Sequence, residues 1–163
     1  SYAISILLQG SLVAYFGWIM VPFLLMHNFW AWSQLTLANY VEHYGLIGAK
    51  KENGKYKRCA PHHSWNANYI VTNLLLFHVE RHSDHHACPA RRYQSLRNFD
   101  GIAELPSGYF GMYLLAYIPW LWFKVMDKRV LELPHIQGDR SKVNNCPSKV
   151  DKIMAKYGTP SLA

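Results

Sequence analysis

Three imidazoles within five residues, His82, His85 and His86 of Arg81-His82-Ser83-Asp84-His85-His86, are the densest concentration of chemistry in this chain. A spacing of i, i+3, i+4 puts all three on one face of a helix, and His78, four residues earlier, continues the stripe. Neutral imidazole is a common ligand for iron and zinc, and three converging rings leave positions on a metal open for substrate or dioxygen. The competing reading is a hydrogen-bonded histidine cluster. The crowding of three rings beside Asp84 and Arg81 favours the metal. His78 is either a further ligand or a packed residue that hydrogen-bonds beside one. A second element, Asn39-Tyr40-Val41-Glu42-His43-Tyr44-Gly45-Leu46, offers His43 as a fourth ligand or as a solvated helix-end histidine. Its neighbour Glu42 would fix a ring tautomer or approach the metal itself. In His62-His63-Ser64-Trp65-Asn66 the two histidines are adjacent and cannot share a helix face, so at most one points inward. The alternative there is a loop whose Ser64 or Asn66 caps the next helix. His43, His82, His85 and His86 are thus the candidate ligands. Glu42, Asp84, His63 and His78 are candidates for the hydrogen-bonding surround.

Other chemistries fit poorly. No GxSxG, phosphate-binding P-loop or GxGxxG motif occurs. Cys59, Cys88 and Cys146 are scattered, without a CxxC pair. That disfavours a structural zinc site and a disulfide framework, and reads as reduced thiols on a cytosolic face. Two further histidines have quieter expectations: His27 as a hydrogen-bonding residue between helices, and His135 as a solvated loop residue.

The elements that must position these residues follow from the apolar pattern. Residues 2–32 carry no Asp, Glu, Lys or Arg, and all 27 charged residues lie after position 41. An apolar opening ahead of a basic body points to a membrane-anchored segment followed by a polar part. Forty residues exceed the roughly 20 that one span needs. The preferred reading is a transmembrane hairpin over 2–44, with helices at 2–16 and 20–44 turning near Gly17-Trp18. The alternative is one helix kinked at Pro22. Gly45 and Gly48 stop the second helix. A basic loop over 49–67 follows, with an Asn53-Gly54 turn and five Lys/Arg, which the positive-inside rule assigns to the cytoplasm. Residues 68–86 read as one helix running into the histidines, ended by Cys88-Pro89. The stretch 87–107 reads as a structured loop. Residues 108–126, broken at Pro119, read as an interfacial aromatic helix, and everything from 127 on as loop, apart from a short amphipathic helix at 148–157 stopped by Gly158. The expected architecture is all-α: an integral-membrane helical bundle with a cytoplasmic or interfacial histidine-rich part over 45–163, together one partial domain over 1–163.

The net charge of +7 admits nucleic acid in principle. No basic-aromatic or DNA-binding motif accompanies it, so none is expected as a partner. A basic face against anionic lipid, or against an acidic protein, fits better.

With these motifs in place, the chain resembles the membrane alkane 1-monooxygenases (alkane omega-hydroxylases). These belong to the histidine-rich integral-membrane di-iron group, which also includes fatty acid desaturases and xylene monooxygenase. Asn39–Leu46 matches that family's NYxEHYGL element, and Arg81–Ala87 its RHSDHHA box. Arg58–Pro61, His63–Asn66, Arg91–Gln94, Glu104–Tyr109 and Lys124–Asp127 also look like family sequence. NYxEHYGL separates the family from the desaturases. The resemblance implies a cofactor of two non-haem Fe ions, with His43, His82, His85 and His86 as four of nine ligands. It also implies dioxygen-dependent hydroxylation of a terminal methyl group of an n-alkane to a primary alcohol, and rubredoxin as electron donor. The expected location is the bacterial inner membrane, with the site toward the cytoplasm. Rubredoxins are generally acidic, which makes Arg91, Arg92, Arg97 and the Lys50–Arg58 loop candidate docking charges. The family's first two histidine boxes are absent. The expectation is therefore a C-terminal fragment, inactive by itself, whose other five ligands lie upstream. Rival expectations are a related hydroxylase or desaturase acting on fatty acyl or aromatic substrates, and a non-catalytic membrane metal-binding protein.

Overall fold

Reversal of the chain after Phe16 divides the uncharged opening into two helices, α1 (Tyr2–Phe16) and α2 (Met20–His43). A computed structural model describes residues 2–46 and 60–158. They fall into two units, Ser1–Leu37 and Ala38–Ala163.

In the first unit α1 packs against the opening of α2, and the Gln9 and Asn28 side-chain amides bond to each other at 3.1 and 3.3 Å. A reciprocal amide pair suits an apolar helix contact, because each group satisfies the other where water is scarce. Asn28 takes the role expected of His27, whose Nδ1 lies 3.5 Å from Asn28 Oδ1. No residue of α1 is buried, and Ile4, Leu7, Phe23, Met26 and Trp30 are among the exposed large apolar side chains. Among the described residues, no helix is long and apolar enough to cross a membrane. The 15-residue α1 falls short of the roughly 20 required, while α2 has the length but carries His27, Asn28, Ser33, Gln34 and Asn39.

The second unit holds the core. After α2 come strand β1 (Gly45–Leu46), helices α3 (Ile70–Leu75), α4 (His82–Ala87), α5 (Tyr109–Ala116) and α6 (Pro119–Glu132), strand β2 (Val143–Asn144), and helix α7 (Pro147–Tyr157). On α6 the residues Trp122, Met126 and Val130 recur every fourth position and are buried. Val150 and Ile153 of α7 join the same cluster, with Val41 and Tyr44 from the end of α2. The strands pair antiparallel, Gly45 with Asn144 and Leu46 with Val143, which adds a small sheet to an otherwise helical fold. Gly45 is required there: its φ is +72°, and a Cβ would meet Val130 Cγ2 at 2.6 Å.

Three expectations need correction. Residues 68–86 are not one helix: α3 ends at Leu75, and Phe77 and His78 take left-handed φ values of +52° and +59°. His78 therefore leaves the stripe it was expected to share with His82. Helix α6 does not stop at 126 but runs to Glu132, because the buried stripe continues through Val130 and Leu131 beneath the charged residues. Nor is 108–126 a single interfacial helix. Pro119, which lacks an N–H, opens α6 at its first turn, where none is needed, and much of α6 faces the core. The basic loop expected over 49–67 lies outside the described residues up to position 59. Beyond it, Pro61–His63 form one 3₁₀ turn.

Candidate metal centre

Four residues, Ser64–Ala67, are the staple that brings the histidine-bearing segments together. The Trp65 N–H donates to the Glu42 carbonyl at 2.8 Å, and its indole Nε1 donates to the Tyr44 carbonyl at 2.7 Å. This pins the end of α2 on either side of His43. The Asn66 side chain accepts from the Ser83 N–H at 2.8 Å, and Ser83 Oγ donates to the Ser64 carbonyl at 3.2 Å, which fixes the start of α4. The Asn66 backbone also bonds Ala103 and Leu105, at 2.8 and 2.7 Å. Trp65 and Asn66 are 1% and 0% exposed. Interior backbone groups so paired hold their geometry because breaking one strands a polar group away from water.

The histidines converge where these segments meet. Among the described residues, His43, His82 and His86 form a group whose ligand atoms lie within 4.8 Å of one another. The His82 and His86 Nε2 atoms are 2.7 Å apart. His43 Nδ1 lies 3.2 Å from the His63 carbonyl, which can only accept. His43 Nδ1 therefore carries the proton and its Nε2 keeps a lone pair. Glu42 Oε2 is 3.2 Å from His82 Nε2. Burial first, then the neighbouring His86, His43 and His85, push His82 down to about 3. Burial followed by His43 and His85 also lowers His86. Neutral rings are what a metal requires of imidazole. Two nitrogens bound to one ion at about 2.1 Å each sit roughly 3 Å apart, close to the separation already present. The donor set fits a transition metal such as iron.

His85 stands beside this group, its ring centroid 6.0 Å from that of His82 and 5.7 Å from that of His86. It also lines a cleft of about 570 Å³ with Leu75, Phe77, Val79, Arg91 and Tyr93. Of the candidates for the surround, Glu42 is in contact with His82, and His63 serves through its backbone carbonyl. The His63 ring accepts from the Ala60 N–H at 3.1 Å and stacks edge-on with His62 at 4.2 Å. His78 is half-buried, with Nδ1 lacking a hydrogen-bond partner. His135 is half-buried too, its ring 5.2 Å from that of His62.

Asp84 points to the opposite side of α4 and is 0% exposed. It accepts from the Arg97 N–H at 2.9 Å and the Arg97 guanidinium at 3.1 Å, and from Arg91 Nε at 3.1 Å. Burial alone would raise its pKa, but the two Arg97 bonds and the Arg91 and Arg97 charges outweigh it and hold the carboxyl below the usual range. Two of the three expected docking arginines are thus engaged by Asp84, while Arg92 is exposed.

Sequence reasoning missed Glu80, a carboxylate with 0% exposure. It accepts from the Tyr109 N–H at 2.7 Å and from the Thr72 hydroxyl. Its own carbonyl accepts from the Ala67 N–H at 3.0 Å. Thr72 presses against Gly108 so closely that a Cβ there would meet Thr72 Oγ1 at 2.8 Å. The available signal was a lone acid ending the apolar run Leu74–Val79.

The family model described as fatty acid desaturase matches residues 2–115. An alkane 1-monooxygenase of Acinetobacter baylyi is 49% identical over 157 residues, 96% of this chain and 38% of the relative. Another, of Ectopseudomonas oleovorans, is 48% identical over 97% of this chain and 39% of its own length. Alkane 1-monooxygenase 1 of Alcanivorax borkumensis is 47% identical over 95% and 38%. The chain therefore spans about 38% of the length of curated relatives it matches.

Proposed function

The chain belongs to the fatty acid desaturase family, and on that premise we propose that it forms part of the iron centre of an alkane 1-monooxygenase. The observation that carries this reading is the convergence of His43 from the end of α2 with His82 and His86 from α4, in a chain about half identical to proteins of that name. The reaction is RH + O₂ + 2e⁻ + 2H⁺ → ROH + H₂O at the terminal methyl of an n-alkane, with the electrons coming from reduced rubredoxin.

In this reading His43, His82, His85 and His86 hold two non-haem iron ions, together with ligands from the rest of the whole protein. Bound iron supplies the redox chemistry that activates dioxygen. The residues of this chain do the positioning. The His63 carbonyl sets the His43 tautomer, and Glu42, its carboxylate 3.2 Å from His82 Nε2, approaches the point on which the ring nitrogens converge. The Asp84–Arg91–Arg97 cluster anchors α4. Helices α1 and α2, uncharged up to Glu42 and largely exposed, lie in the lipid of a bacterial inner membrane and admit the alkane from it. The site faces the cytoplasm, where Arg92 and the Lys50–Arg58 segment meet an acidic rubredoxin.

Iron analysis and product analysis of the whole protein test the reading together. The expected result is two irons per chain and 1-octanol from octane, both lost in His82→Ala and His86→Ala. Full octane oxidation by iron-free protein would overturn it, and a fatty acyl product with no octanol would reassign the substrate.

A further inference from the structure

Between α6 and α7 lies a cavity of about 510 Å³, far from the histidines in character. Lys124, Lys149, Lys152 and Lys156 line it, and Trp120, Phe123 and Tyr157 form its apolar walls. The carboxylate in its lining, Asp127, is already engaged by the Tyr44 hydroxyl and by Lys149 at 3.7 Å. Lys149 is further committed, its Nζ 2.7 Å from Tyr44 Oη and 3.4 Å above the Phe123 ring. Lys124, Lys152 and Lys156 are exposed, and among the described residues none is ion-paired with a carboxylate. Trp120, in the cavity wall, is itself an exposed apolar side chain, 69% accessible.

We propose that this cavity binds the headgroup of an anionic phospholipid, with Lys124, Lys152 and Lys156 taking the phosphate and Trp120, Phe123 and Tyr157 the glycerol and first acyl carbons. Charge complementarity selects an anion. The aromatic walls, with Trp120 exposed, select one that carries hydrocarbon, because free phosphate would leave them unused. Trp and Tyr at headgroup depth beside lysines are the usual composition of a protein surface that meets lipid. A concave site suits a single headgroup better than the broad face of an acidic protein. The proposal needs a lipid surface but neither the iron nor the alkane, so it stands or falls separately from the reading above.

Native mass spectrometry of the purified whole protein in detergent, titrated with phosphatidylglycerol, phosphatidylcholine or glycerol 3-phosphate, tests it. Phosphatidylglycerol is expected to bind at least about tenfold more tightly than phosphatidylcholine. Combined Lys124→Gln, Lys152→Gln and Lys156→Gln should weaken it about a hundredfold, at roughly fivefold per charge. Lys128→Gln, which removes a lysine paired with Glu132 at 3.5 Å, should change nothing. If the triple variant shows a lowered melting temperature, Lys124→Gln alone, expected to weaken binding several-fold, decides instead. Unchanged phosphatidylglycerol binding in the variants, or no preference over phosphatidylcholine, overturns the proposal. So does equal competition by glycerol 3-phosphate, which would make this a free-phosphate site. Retained lipid binding with lost binding of an acidic protein would make it a protein-docking face and overturn it too.

Discussion

The two sides of α4 differ in a way that separates scaffold from chemistry. On one side every strong polar group is paired: Ser83 with Asn66 and Ser64, and Asp84 with Arg97 and Arg91. On the other, His82 and His86 meet nitrogen to nitrogen, with Glu42 nearby and His43 completing the group. A helix of six residues has too few internal bonds to hold itself in place. The paired side holds it, which lets the other side keep lone pairs directed at one point instead of at partners of their own.

Substitutions on each side should break this contrast differently. The largest effect is expected from His82→Ala, with iron lost and octane hydroxylation reduced about 100-fold or more. Its melting temperature should fall less than that of Asp84→Ala, since a neutral ring in contact with Glu42 and His86 is lost, not a buried charge with its ion pairs. A large loss of stability with iron retained would place His82 on the scaffold side. Asp84→Ala should do the reverse, costing about 2–3 kcal/mol in chemical denaturation because three charge-assisted or backbone bonds disappear from a buried site. Wild-type stability in that variant would show that α4 is held by something else. Asn66→Ala, which unpairs the Ser83 N–H, should cost about 2 kcal/mol and lower iron affinity through displacement of α4. Iron binding unchanged at equal destabilisation would uncouple the staple from the centre. The smallest effect is expected from Gly108→Ala, about 1 kcal/mol of overpacking against Thr72, partly recovered in combination with Thr72→Ser, which removes the methyl group but keeps the hydroxyl that bonds Glu80.

Much of the helical framework was legible because it depends on local signals. The limits of α1 and α2 follow from an apolar run with a turn after Phe16, and α7 from its amphipathic spacing ahead of Gly158. His43 stood open between ligand and solvated helix-end histidine on its residues alone, and only the NYxEHYGL resemblance set it beside His82 and His86. What escaped rests on contacts between residues far apart in the chain. Nothing local to Phe77-His78 demands a left-handed turn; the demand comes from Glu80, whose partners lie at Thr72 and Tyr109. The extension of α6 past 126 was hidden by Asp127, Lys128 and Arg129, whose charges read as loop. Asp127 is buried there only because Tyr44 and Lys149 meet it from two other segments. Strand β1 finds its partner nearly a hundred residues later, beyond the reach of any periodicity.

Burial of the staple also gives the protein an optical signature. Of its six tryptophans, Trp65 and Trp122 are 1% and 0% exposed, while Trp18, Trp30, Trp32 and Trp120 are 61–83% exposed. With the protein in lipid, a brominated acyl chain should extinguish the emission of those four first and leave a protected fraction from the other two. Because the Trp65 indole donates to the carbonyl of Tyr44, the residue after His43, that protected light comes from beside the centre. Its loss would signal the moment at which the end of α2 comes away from the staple.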